Sequence, residues 1–377
     1  MRNISRHIKG VVLIFIVFFI TKCVSIIDFD VASSERELVI YGKLTNAQNY
    51  DQGITVQWSD LNTTADLSIA DATVVVEDEN DHVFPYVYSV ATEKYLPVNP
   101  LVGIPGTAYR ARVTVNDETY ISSFQRMPTI GAQDSSYFEI DRVRAISNIG
   151  VLFERFVLRV YTDSRLDASD SSIYMKWDVE RVDLQQEMLL PGSNFPFYSP
   201  RNCYNIERYS GQEILLFDGD LVNTLFIQGQ KTLEIPLENS LSTLRGIGII
   251  QSSISREAME YWRKVNDVSN RTGNIFEIPP APIPGNISLV SNPNEKVLGF
   301  FEVAKMDTSG TEITRADFPV IFAFGGNTVN CSNFATSQFN SIPANCFPCL
   351  GDRGVPEVCY NCLSKPNSTL TKPSYLD

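Results

Sequence analysis

From residue 38 to residue 124 apolar and polar residues alternate in short runs, and Gly, Asn or Asp interrupts each run. A period of two with frequent breaks excludes long helices there and commits the segment to half-buried strands. Residues 109–115 alternate cleanly, with Tyr109, Ala111, Val113 and Val115 on one face. Asn116-Asp117 turns that strand and 120–124 returns. Residues 73–77 are strongly β-branched, run into Asp78-Glu79-Asn80-Asp81 and resume at Val83-Phe84, which is a hairpin signal. Residues 38–42 and 53–58 add two more strands. Several short strands joined by turns predict an immunoglobulin-like β-sandwich over 37–128.

The chain has 377 residues, more than one ordinary domain holds. Met127-Pro128-Thr129 reads as a linker, since proline has no donor to continue a ladder. A second, larger β-rich domain is expected over 129–330, with strands at 153–161, 173–180, 214–217, 225–227 and 297–304. One helix stands out at about 256–269. Ser255 can cap it, Glu257 lies in its first turn, and Ala258, Tyr261, Trp262, Val265 and Val268 recur at helical spacing. Its one apolar face predicts packing on a sheet, with Tyr261 and Trp262 as core residues. The proline-rich stretch 278–285 must be extended, and 331–377 is a cysteine-rich tail. The fold class is mainly β.

The first 22 residues carry Arg2, Arg6, Lys9 and Lys22, no acid, and an apolar run at 11–20. Ten residues fall short of the roughly 20 that cross a bilayer, so the segment reads as a signal peptide, 1–22. Cys23 follows directly. A cysteine after such a run is the lipoprotein arrangement, in which its thiol is acylated and residues 23–36 become a lipidated N-terminus and tether. Lys22 stands where a small residue is usual before the cut. Seven cysteines are an odd number for an exported chain, and acylation of Cys23 leaves six. Removal of 1–22 leaves 27 basic against 44 acidic residues and a net charge of −17. So acidic a surface repels phosphate backbones and anionic lipid, which excludes nucleic acid as a partner and assigns membrane association to the anchor and not to a basic face.

The other six cysteines are Cys203, Cys331, Cys346, Cys349, Cys359 and Cys362. Cys346-x-x-Cys349 with Cys359-x-x-Cys362 has zinc-ribbon spacing, and a CxxC pair can also be redox-active. In an oxidising compartment all six are expected to form disulfides that staple a tail with little core of its own. Six cysteines allow 15 pairings, and spacing does not choose among them. His82, the only histidine after the signal segment, lies in the turn Asp78-Glu79-Asn80-Asp81-His82 and is read as solvated. Turn chemistry accounts for those acids and for Asp218-Gly219-Asp220 without calcium. There is no phosphate-cradling glycine loop and no dinucleotide fingerprint. Six Asn-x-Ser/Thr matches, Asn62 and Asn367 among them, are read as chance. No catalytic residue, metal or cofactor is assigned.

An ordered set of segments carries a family resemblance: LVIYGKLTN (38–46), DATVVVED (71–78), GIPGTAYRARV (103–113), RMPTIGAQDS (126–135), YMKWDV (174–179), Cys203-Tyr204, ISREAMEYWRKV (254–265), IPGN (283–286), VLGFFEVA (297–304) and CYNCLSKPNSTLTKP (359–373). Together they resemble the Bacteroidetes lipoproteins of domain of unknown function 4249. The resemblance implies a lipid-anchored outer-membrane lipoprotein of a family often encoded beside TonB-dependent receptors and with no enzymatic activity assigned, and the favoured reading is a non-enzymatic accessory or substrate-binding partner of such a receptor. Tyr204 stands where that family commonly has tryptophan. Two other functions are weighed from the residues: a surface adhesin or glycan-binding module, and a hydrolase working through paired acids.

Overall fold

A computed structural model describes residues 37–47, 52–59, 67–129, 131–166, 173–187, 201–209, 214–221, 224–237, 241, 243–270, 282–295, 297–318 and 356–376. The signal segment, Cys23, the tether, Cys331, Cys346 and Cys349 lie outside the described residues. The chain begins with β1 (Leu38–Thr45), β2 (Ile54–Trp58), β3 (Thr73–Asp78), β4 (Val83–Ser89), β5 (Lys94–Pro97), β6 (Ala108–Val115), β7 (Glu118–Ser122) and β8 (Gln125–Arg126). Then come β9 (Ala132–Ile146), β10 (Leu152–Arg165), β11 (Tyr174–Gln186), β12 (Asn202–Arg208), β13 (Leu215–Asp218), β14 (Phe226–Pro236) and β15 (Leu244–Ile254). A helix, α1 (Arg256–Ser269), precedes β16 (Ile287–Leu289), β17 (Val297–Leu298), β18 (Phe301–Glu312) and β19 (Ser368–Thr369). The molecule is therefore mainly β, with one packed helix among the described residues. No helix among them is long and apolar enough to cross a membrane.

The large sheet has the order β16-β7-β6-β3-β4-β5-β2-β1-β18-β15-β11-β12-β19. Its first part bends back on itself, because Ile40, Ile54 and Phe301 share one core with Val74, Val113 and Tyr120. The alternation read at 109–115 is what fills that core. The hairpin between β6 and β7 turns at Asn116 and Asp117, both at positive φ, as a tight two-residue turn requires. β1 pairs in parallel with both β17 and β18, so the ladder joins residues on either side of position 128. The strand expected over 297–304 is broken at Gly299, whose φ is +93°. A Cβ there would lie 2.1 Å from the Ile40 carbonyl oxygen, so only glycine lets β1 approach so closely.

A second core lies between β9-β10-β14 and the strands β11 and β15. The alternation of β11 decides which side chain goes where. Met175, Trp177 and Val179 point into that core, whereas Tyr174 faces α1 across the other side of the sheet. Ser255 caps α1 by accepting from the Ala258 amide at 3.1 Å. Ala258 and Met259 are buried against Ile254, Phe300 and Ala304. Tyr261 and Trp262 are half-buried at the edge of this cluster, and Tyr261 stacks on Phe300 at 4.8 Å.

The tail is stapled to the sheet. Cys362 is bonded to Cys203 on β12 across 159 residues of sequence. Cys359 is also disulfide-bonded. β19 extends the ladder of β12 at Tyr204 and Asn205. The chain then ends against Gly246 and Gly248 of β15 and Gly310 of β18. Their missing side chains make room for Tyr375 and Leu376, and Tyr375 donates to Glu180 Oε2 at 3.0 Å.

Candidate functional site

Residues singled out from the sequence fall into three groups. Cys203 and Cys362 meet, which removes Cys362 from any four-thiolate zinc site. Among the described residues no group of three or more His, Cys, Asp or Glu is placed to hold a metal ion. His82 is exposed and its Nδ1 lies 2.8 Å from Asp78 Oδ2, within the turn that both close. Asp78 also accepts the amides of Asn80 and His82, so its carboxylate is spent on the turn. Asp218 pairs with Arg263 and Asp220 with Arg256, which ties the β13 turn to α1.

Beneath α1 lies a charged cluster that periodicity did not announce. Neighbouring strands β1, β18, β15 and β11 bring Lys43, Glu302, Ser252, Lys176 and Asp178 to one face. Lys43 Nζ lies 3.2 Å from Glu302 Oε1 and donates to Ser252 Oγ at 3.0 Å. Trp262 of α1 donates its indole N–H to Glu302 Oε2, and Lys176 Nζ sits 4.6 Å from the centre of the Trp262 ring. Lys176 also pairs with Asp178 at 2.9 Å. Burial pushes Glu302 up, but the ammonium groups of Lys43 and Lys176 and the indole outweigh it and hold the carboxyl below its ordinary value. Burial pulls Lys43 down, and Glu302 offsets part of that. Tyr41, packed beside them, is raised well above an ordinary phenol by burial and then by Glu302. With Lys43 and Glu302 both buried, this cluster ties α1 to the sheet.

The N-terminal end of α1 does border an open cleft of about 250 Å³. Met127, Pro128, Thr129, Ile173, Tyr174, Ile254 and the two serines 253 and 255 line it, together with Gly106, Arg126 and Arg256. Each arginine is held by a carboxylate behind it. Arg126 makes a fork with Glu79 at 2.6 and 2.9 Å and reaches the Gly106 carbonyl. Arg256 lies 2.6 Å from Asp220 Oδ2, which also accepts from Tyr174 at 2.8 Å. The Arg126 fork lowers Glu79 below the usual carboxylate range and raises Arg126 in turn. Ser255 donates to Gln125 Oε1 at 2.5 Å while it caps α1. Lys305 donates to the Gly131 carbonyl at 3.0 Å, which pins the segment after Thr129.

Two arginines, three hydroxyl-bearing residues of the Ser/Thr type and several apolar side chains in one lining suit a small ligand with an anionic or polar head. Among the described residues that line it, none is an acid, a thiol or a histidine. Sequence reasoning did not find this cleft, because its walls come from four stretches that are distant in the chain. The one local signal was Ser255-Arg256 at the start of α1.

A family model described as Domain of unknown function (DUF4249) matches residues 24–309. That span holds every residue of the cleft and of the charged cluster. No curated protein matches the chain.

Proposed function

The chain belongs to the family of domain of unknown function 4249, and from that premise we infer that it works outside the cytosol as a membrane-tethered binding protein, an accessory or substrate-binding partner of an outer-membrane TonB-dependent transporter. The observation that carries the binding role is the cleft, two of whose lining residues, Arg126 and Arg256, pair with Glu79 and Asp220. Preorganised donors bind without first losing side-chain freedom, which favours capture of a small anionic molecule. The Cys203–Cys362 bond supports the location, since thiols stay reduced in the cytosol. In this reading Cys23 carries the lipid, and sharing one membrane with the transporter raises the effective concentration of one for the other.

Affinity purification of the tagged protein from native membranes, followed by mass spectrometry, tests the reading. A co-purifying β-barrel receptor is expected, and the Arg126→Ala, Arg256→Ala double variant is expected to keep that receptor while losing bound small molecules. Recovery from the soluble fraction without a receptor would overturn it. A second reading, a glycan-binding surface, has one observation in its favour. Tyr137 and Tyr161 stack at 5.4 Å on the β9–β10 pair, a platform on which a sugar ring could lie. Recovery with bound glycan and no receptor would favour it.

A further inference from the structure

β9 and β10 form a hairpin that runs past its own sheet. Among the described residues β14 pairs with β10 from Val157 to Arg165, with one further bond from the Leu237 amide to the Phe156 carbonyl, and none of residues 141–156 is buried. The turn at its end is well made: Ser147 N–H donates to the Val151 carbonyl at 2.8 Å, Gly150 N–H to the Ser147 carbonyl at 2.9 Å, and the Val151 amide to Ser147 Oγ at 3.0 Å. A turn held in water by such bonds ordinarily carries polar side chains. This one carries Ile146, Ile149, Val151 and Leu152 at 71, 85, 55 and 61% exposure, with Phe153 beside them.

The register shows a pattern in that exposure. Along one face the cross-strand pairs are Ile140 with Leu158, then Arg142 with Phe156, Arg144 with Glu154, and Ile146 with Leu152. The first pair packs on the second core. The next two form a charged belt, and the last returns to apolar residues. Glu154 is shared by Arg142 at 2.5 Å and Arg144 at 3.9 Å. Arg155, opposite Val143 on the other face of the hairpin, makes no ion pair among the described residues, and Asp141 at the base is engaged by Arg159. The belt is thus positive on a chain whose formal net charge is −13. From Arg144 to Ile146 the strand rises roughly 7 Å, and the turn lies beyond. That matches the roughly 5–10 Å by which interfacial elements enter the boundary between headgroups and acyl chains.

We propose that the β9–β10 tip is a membrane-docking element, which seats Ile146, Ile149, Val151 and Leu152 in the interface of a bilayer while Arg142, Arg144 and Arg155 meet anionic headgroups. Local charge complementarity selects lipid phosphate over a neutral surface. The contact needs no acyl chain, so it is separable from lipidation at Cys23.

The test uses the full chain carrying Cys23→Ser, with vesicles of phosphatidylethanolamine and phosphatidylglycerol or of phosphatidylcholine alone. Ile149→Trp is expected to shift its emission to the blue on anionic vesicles and to be quenched by brominated acyl chains. Ile149→Asp with Leu152→Asp is expected to weaken binding about 10-fold or more. Arg144→Ala with Arg155→Ala is expected to weaken it roughly 10-fold on anionic vesicles only. All four positions are solvent-exposed, so near-ultraviolet circular dichroism should match the parent. Emission at position 149 that ignores saturating vesicles, or equal binding by the aspartate variant, would overturn the proposal. So would loss of a co-purifying protein in that variant with vesicle binding unchanged, which would make the tip a protein contact.

Discussion

Lys43 and Glu302 show how a single buried pair can hold an element in place. Each is nearly inaccessible to water, so neither charge is solvated if its partner leaves. Lys43→Met is expected to cost about 3–5 kcal/mol in urea unfolding, because it takes the paired ammonium from a buried carboxylate and leaves it only the indole and the more distant Lys176. Adding Glu302→Leu should recover much of that loss, since an apolar pair needs no compensation. A double variant no better than the single one would contradict this view of the cluster. Glu187 offers a pH test at the same scale. Burial pushes its carboxyl up, but Arg201 and the amides of Cys362 and Arg201 outweigh burial and hold it below its ordinary value. A depressed acid stabilises the fold above its unfolded pKa of about 4.5 and loses that contribution as pH falls through the folded value. The urea midpoint of the native chain should therefore exceed that of Glu187→Gln at pH 6, and the gap should shrink as the pH drops below about 4.

The end of the tail is an element that rests on absent side chains. A Cβ at Gly248 would lie 2.7 Å from the Tyr375 ring, and one at Gly246 would lie 2.6 Å from Leu376. Gly248→Val is expected to displace Tyr375 and expose 370–377 to carboxypeptidase while leaving the Cys203–Cys362 bond intact; resistance equal to the parent would contradict this. Such an arrangement leaves little trace in a sequence. α1 could be read almost to the residue, because a cap, an acidic first turn and an apolar stripe are all local. The strands at 54–58, 73–78 and 108–115 could be read for the same reason, since one face of each is buried. β15 could not, because its residues are buried on both faces and show no alternation. β9 hid for the opposite reason, since none of its residues is buried. The cleft was beyond reach of any local pattern. Arg126 and Arg256 look like ordinary surface residues until the sheet brings residues 126–129 against 253–256.

At the scale of the whole molecule, the ladder that joins β1 to β18 makes one continuous sheet of the described strands other than β9, β10 and β14, which form a sheet of their own. The bridge from Cys203 to Cys362 closes a long loop onto that larger sheet, which the loop-closure account values at about 2–5 kcal/mol. A chain of this acidity has no general attraction to anionic lipid, so in this account it reaches the bilayer through Cys23 and the basic belt of one hairpin. The cleft near α1 is then presented by a body held at two points. Intact-mass analysis of protein taken directly from cell membranes, with free thiols alkylated beforehand, tests the claim of export and tethering most directly. The account predicts a species that begins at Cys23, carries added acyl mass and takes up no alkyl group at Cys203 or Cys362. A soluble species that retains Met1 and is alkylated at both cysteines would contradict it.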